Sequence, residues 1–70
     1  MNWIMIKGFN TATGFKEWLE DKGVKTKKKK EEIVNRLLKG EIIEYGQDSR
    51  LRYEEKYEVG IFYIERKEGS

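Results

Sequence analysis

Residues Phe15–Leu38, FKEWLEDKGVKTKKKKEEIVNRLL, contain two amphipathic helical patterns separated by a short link. Apolar residues that recur at i, i+3 and i+4 lie on one face of a helix. The first pattern consists of Phe15, Trp18 and Leu19. The second consists of Ile33, Val34, Leu37 and Leu38. Charged residues surround both stripes, so we expect the two helices to bury these apolar faces against each other.

Capping residues set the expected ends of both helices. Thr11 and Thr26 are the best N-caps, because a threonine hydroxyl accepts a hydrogen bond from a free backbone N–H of the first turn. Helix one is therefore expected over about 12–22, and helix two from 27 to 38 or 39. A glycine follows each helix at the position where a left-handed backbone is usual. These glycines are Gly23 and Gly40.

Four consecutive lysines, Lys27–Lys30, stand where the second helix begins. A helix N-terminus carries partial positive charge, so each lysine there is locally unfavourable by about 0.3–1 kcal/mol at low salt. A phosphate beside the run would relieve this repulsion, because helix N-termini and lysines both attract anions. The alternative is a solvated helix start, partly neutralised by Glu31 and Glu32 at i, i+4.

The segments on both sides of the helix pair have strand character. Trp3–Ile6 is an apolar run without alternation, which indicates a strand that ends near Lys7 and is buried on both faces, with its tryptophan in the core. Glu41–Tyr45 is a second strand, and the residues that follow it favour a turn over 46–49.

The C-terminal part of the chain shows period-two alternation. Its apolar residues fall on odd positions, which predicts one face of a β-hairpin with a turn between Glu54 and Gly60. They are Leu51, Tyr53, Tyr57, Val59, Ile61 and Tyr63. Phe62 and Ile64 would then occupy the other face. The alternative is a short helix over 49–56.

These elements place the chain in the α+β class, as a single domain over residues 1–70. We expect an N-terminal strand, the helix pair over 11–39, and a C-terminal antiparallel β-hairpin or small three-stranded sheet over 41–66.

Composition narrows the possible functions. The 70 residues include no cysteine and no histidine, which removes thiolate metal sites, disulfides and the commonest general base. We therefore expect no enzyme activity, no cofactor and no metal. No apolar run approaches the roughly 18–20 residues of a membrane span, and no signal-peptide pattern opens the chain, so we expect a cytoplasmic protein without a membrane partner.

Charge is unevenly distributed along the chain. Residues 1–40 hold ten Lys and Arg against five Asp and Glu, whereas residues 41–70 hold five against eight. A basic first half and an acidic second half favour a polyanion partner at one face of the domain.

The helix pair resembles the SAP motif and, more broadly, the helix–extension–helix group that includes LEM domains. The resemblance covers about residues 11–39 and follows the family pattern without a gap. The matching positions in chain order are Phe15, Lys16-Glu17, Trp18-Leu19, Gly23-Val24, Thr26, Lys29-Lys30 and Ile33–Leu37. Lys28 departs from the pattern, because SAP sequences usually have glycine there. The lysine adds a charge and hinders close approach of the backbone to a ligand.

SAP motifs are mostly associated with DNA, so the resemblance implies a non-enzymatic module that binds nucleic acid, with duplex DNA favoured. The residues expected to contact phosphates are Lys25, Thr26, Lys27, Lys28, Lys29, Lys30 and Arg36. An arginine such as the last of these can instead be solvated or paired within the chain. The alternative function is a protein-interaction module, such as a small phage or mobile-element protein that acts on a host protein. It would use the helix pair, as LEM domains do, or the acidic, tyrosine-rich sheet.

Overall fold

The structure is a computed structural model, and it describes residues 2–69. Six elements follow one another: β1 (Trp3–Phe9), α1 (Ala12–Asp21), α2 (Lys27–Leu38), β2 (Ile43–Tyr45), β3 (Ser49–Lys56) and β4 (Val59–Lys67). The chain is α+β, which confirms the expected fold class. Residues 49–56 form a strand, so the alternative of a short helix there is wrong.

The strands form one antiparallel sheet in the order β1-β4-β3-β2. The three C-terminal strands are an up-and-down meander, and the N-terminal strand is added beside β4. Both helices pack on one side of this sheet, which we call the helix face, and the opposite side is the open face. The sheet therefore ends in β1 at one edge and in the short β2 at the other.

The hydrophobic core lies between the helix pair and the helix face of the sheet. It consists of Phe15, Leu19, Val34, Leu37, Leu51, Phe62 and Ile64. The rings of Phe15 and Phe62 stack with their centroids 4.7 Å apart, which fixes α1 over the middle of β4. Trp18 packs against this core from α1, as the apolar stripe predicts.

The predicted ends of the helices are confirmed. Thr11 and Thr26 are the N-caps. The hydroxyl of Thr11 accepts a hydrogen bond from the N–H of Gly14 at 3.1 Å, and the hydroxyl of Thr26 accepts one from the N–H of Lys29 at 3.2 Å. After α1, the N–H of Gly23 donates to Glu20 and the N–H of Val24 donates to Leu19, both at 3.0 Å. This pair of bonds is a Schellman motif, and it requires the positive φ of +104° at the glycine. The same pattern ends α2 at residue 40.

Replacing Gly23 by valine is expected to destabilise the protein by more than about 1 kcal/mol, the average for a point change. A Cβ at this position would meet no atom within 4 Å, so the whole effect would come from backbone strain at positive φ. Urea unfolding measures it. Gly69→Val is the matched control, because Gly69 also has positive φ and open space but lies beyond the last strand. Equal midpoints for the two variants would contradict the assignment.

The expectation that the first strand is buried on both faces is wrong. Ile4, Met5 and Ile6 are each about half exposed, because β1 lies at the edge of the sheet and pairs only with β4 among residues 2–69. The strand also continues to Phe9, past a bulge at Ile6. Leu38 departs from its predicted stripe as well. As the last residue of α2 it is about half exposed, whereas Leu37 beside it is fully buried in the core.

The prediction that all odd C-terminal positions share one face is also wrong. Leu51 pairs with Ile64, and Tyr53 pairs with Phe62. The hairpin turn has two residues, so an odd position on β3 lies opposite an even position on β4, and Tyr63 is turned to the open face. The tyrosines therefore do not form a common surface on the sheet.

Candidate nucleic-acid interface

The start of α2 presents free backbone donors to solvent. Thr26 is extended, and its hydroxyl accepts from the N–H of Lys29 at 3.2 Å, while its carbonyl accepts from the N–H of Lys30 at 3.1 Å. The N–H groups of Lys27 and Lys28 have no acceptor inside the helix, because the first residues of a helix never do. This cap therefore leaves two adjacent donors available to an anion.

Four lysine side chains surround these donors. Lys25, Lys27 and Lys28 are exposed and form no ion pair within residues 2–69. Lys29 lies 4.0 Å from Glu32, but both side chains are more than half exposed, and such a pair contributes little. No acidic residue lies in the first turn of α2. The result is a concentrated positive charge beside the positive end of the helix dipole.

Lys30 contributes to the packing of the two helices and little to this exposed surface. Its Nζ lies 3.1 Å from Oε2 of Glu20, and its side chain is only 17 % exposed, so the pair ties α2 to α1. Arg36 is placed elsewhere. Nine residues from Lys27, it lies about 14 Å along the helix, and its Nε donates to Glu41 at 3.1 Å. The structure thus brings together residues 25–29 of the predicted site and separates Arg36 from them.

A second cluster of basic and aromatic residues lies on the open face of the sheet. The guanidinium of Arg50 stacks on the ring of Trp3, and that of Arg52 stacks on Tyr63, each 4.2 Å from the ring centroid. Sequence reasoning missed this cluster, because it placed the tryptophan in the core and put Tyr63 on the same hairpin face as Leu51 and Tyr53. The closely spaced arginines on β3 were the available signal.

Glu65 holds this open-face cluster together. Its side chain is buried, and its Oε1 lies 2.7 Å from Nε of Arg50 and 3.0 Å from Nε of Arg52. Burial alone would raise the pKa of Glu65, but the hydrogen bonds and positive charges of both arginines outweigh burial and lower it. Burial alone would lower the pKa of Arg52, but the hydrogen bonds and negative charges of Glu54 and Glu65 outweigh burial and raise it. Both arginines are paired with carboxylates inside the chain, and each guanidinium covers one face of an aromatic ring. The cluster therefore shields the open face of the sheet from water and offers little unpaired charge to a ligand.

Within residues 2–69, no group of three or more carboxylates is arranged to hold a metal ion. Neither α1 nor α2 is long and apolar enough to cross a membrane. Comparisons of the chain with protein families, with curated proteins and with solved structures find no match.

Proposed function

We propose that this protein binds nucleic acid, with duplex DNA as the favoured partner, through phosphate contacts at the start of α2. The supporting observation is a threonine-capped helix start with four exposed lysines and no acidic residue in its first turn. The resemblance of the helix pair to SAP motifs supports the same partner.

The proposed contact combines fixed and flexible donors. The free N–H groups of Lys27 and Lys28 bind one phosphate, and the helix dipole favours its negative charge. The side chains of Lys25, Lys28 and Lys29 reach neighbouring phosphates, because a lysine ammonium on a four-carbon stem acts as a mobile point charge. Phosphates carry no base identity, so binding of this kind positions the protein without reading sequence.

A fluorescence-anisotropy titration tests this proposal directly. We expect the protein to bind two 20-bp duplexes of unrelated sequence at about 50 mM salt with affinities within about twofold of each other, and with dissociation constants in the micromolar range. A single strand of the same length compares the two forms of DNA. If neither duplex binds at tens of micromolar protein, the proposed function is wrong.

A protein-interaction module is the second candidate, and the β1 edge is the observation that favours it. Ile4, Met5 and Ile6 are exposed on a strand whose outer edge has no neighbouring strand among residues 2–69. Exposed apolar edges commonly receive a strand from a partner protein. Such binding would depend weakly on salt and would be lost on replacing these side chains by threonine. Replacing the lysines of α2 by glutamine would leave the affinity for the protein partner nearly unchanged.

A further inference from the structure

The turn between β3 and β4 is built from residues that fit it poorly. Lys56 pairs with Val59, so Tyr57 and Glu58 form a two-residue turn, and both have positive φ, +54° and +65°. A turn of this kind, type I′, strongly favours Asn-Gly, because other residues are strained at positive φ. Strain that persists in a fold points to a function for the residues that carry it.

Tyr57 makes almost no contact with its own chain. Its side chain is 88 % exposed, and Nζ of Lys56 lies 5.6 Å from the centroid of its ring. Glu55 and Glu58 flank it, and neither forms an ion pair within residues 2–69. Glu55 accepts a hydrogen bond of 3.5 Å from the hydroxyl of Tyr53. The hairpin tip, residues 55–59, is therefore an exposed aromatic ring between two carboxylates that no cation neutralises within residues 2–69.

A groove of complementary chemistry lies on the helix face, at the other end of the sheet. It has a volume of about 520 Å³. Its apolar floor includes Trp18, Leu19, Ile33, Ile43, Leu51 and Ile64. Three cations also line it, Lys7, Lys22 and Arg66, and no carboxylate does so within the described chain. Grooves of about 300–1,000 Å³ accept a drug-sized group, which a tyrosine ring with its flanking residues resembles.

We propose that the hairpin tip of one copy of this protein occupies the groove of a second copy. The tyrosine ring covers the apolar floor, and the carboxylates of Glu55 and Glu58 meet the cations at the rim. A single copy cannot make this contact with itself. The strands stay paired up to the turn, which holds the tip roughly 17 Å beyond Leu51 at about 3.3 Å per residue.

The contact joins two different surfaces, so it is heterologous. Such contacts continue head to tail unless the rotation between copies closes a ring. The expected behaviour is an average mass that rises with protein concentration at low salt. Higher salt weakens the association, because the rim pairs are exposed to solvent.

Sedimentation velocity over a concentration series, at low and high salt, tests the proposal. Tyr57→Asn is expected to abolish the concentration dependence while raising the melting temperature, since asparagine suits positive φ better than tyrosine does. Loss of association with gain of stability separates this result from simple unfolding. A wild-type protein that stays monomeric at every concentration, or a Tyr57→Asn variant that associates like the wild type, would overturn the proposal.

A mixing experiment locates both halves of the contact. The groove variant, Lys22→Gln with Arg66→Gln, keeps its tip, and Tyr57→Asn keeps its groove. Each alone is expected to be monomeric, whereas an equimolar mixture forms a complex of twice the monomer mass that grows no further.

Two controls exclude a general charge effect in this mixing experiment. Lys16→Gln with Lys39→Gln removes the same charge outside the groove and is expected to leave the association unchanged. Lys28→Gln tests whether the tip binds the lysines at the start of α2 instead. A mixture that stays monomeric, or an association that is lost in either control, would contradict binding of the hairpin tip in the groove.

Discussion

Replacing Lys27, Lys28 and Lys29 together by glutamine is expected to weaken duplex binding at about 50 mM salt by at least about 100-fold. Each lysine that neutralises a phosphate releases condensed counterions, and this release supplies nearly all of the affinity of a non-specific DNA binder. The fold should be unchanged or slightly more stable, because three charges opposed to the dipole of α2 are removed. Anisotropy and thermal melting of the same samples measure both effects.

The salt dependence gives the number of contacts independently of the affinity. Log affinity falls with log salt at about −0.9 per phosphate neutralised, so engagement of the four exposed lysines predicts a slope of about −3 to −3.6. Affinity should then fall about 60- to 150-fold between 50 and 200 mM salt. The triple variant retains only Lys25 of this group, and its slope should be near −1.

A control variant distinguishes a local site from overall positive charge. Lys16, Lys39 and Lys56 lie outside the start of α2, and their replacement by glutamine removes the same total charge. The slope of this control should stay close to that of the wild type. Lys30→Gln should also change the slope less than Lys28→Gln does, since Lys30 is paired with Glu20. Equal losses in all variants would show that no particular surface binds the DNA.

The helix pair could be predicted because its signals are local. Thr11 and Thr26 each accept a hydrogen bond from a backbone N–H three residues away. At the end of α1, the N–H of Gly23 donates to Glu20 and that of Val24 donates to Leu19. Such interactions depend on neighbouring residues, which are visible in the sequence. The exposed lysines of the proposed site follow from the same reasoning, because their position at the start of a capped helix fixes their surroundings.

The arrangement of the sheet could not be predicted in the same way. Which positions of β3 and β4 share a face depends on the number of residues in the turn. Tyr57 and Glu58 have no local preference for a two-residue turn, so the sequence does not reveal the length of the turn. The alternation alone therefore predicts the wrong face for the odd positions of β4. The apolar run Trp3–Ile6 predicts a strand buried on both faces, yet tertiary contacts place this strand at the edge of the sheet.

The same limit applied to the charged residues of the site. The partner of Lys30 is ten residues away on the other helix, and nothing in the spacing of the lysine run distinguishes Lys30 from its neighbours. Glu65 and Arg50 are fifteen residues apart and meet only because of the sheet register. The partners in such long-range pairs therefore cannot be predicted from the sequence and are identified only by the structure.

Replacing Glu65 by glutamine is expected to destabilise the protein by about 1–3 kcal/mol at pH 7, the usual effect of losing hydrogen bonds to a charged group. The change leaves the guanidiniums of Arg50 and Arg52 close together without a carboxylate between them, although both keep some contact with water. In a domain of this size, each kcal/mol lowers the melting temperature by about 4–8 °C. Glu17→Gln, an exposed glutamate without an ion pair in the described chain, is the control and should cost less than about 0.5 kcal/mol.

The pH dependence identifies the charge of Glu65 as the cause. Its pKa is lowered in the folded state, whereas the unfolded chain has the ordinary value of about 4.3. The folded protein thus binds this proton less readily, and the stabilisation is complete above the unfolded pKa and lost as the pH falls through the folded pKa. Urea unfolding should show a constant difference between wild type and Glu65→Gln from about pH 6 to 8, shrinking below about pH 4.3. A difference that stays equally large at pH 3 would mean that glutamine disturbs the shape of the cluster and that the ionised carboxylate is not what stabilises the open face.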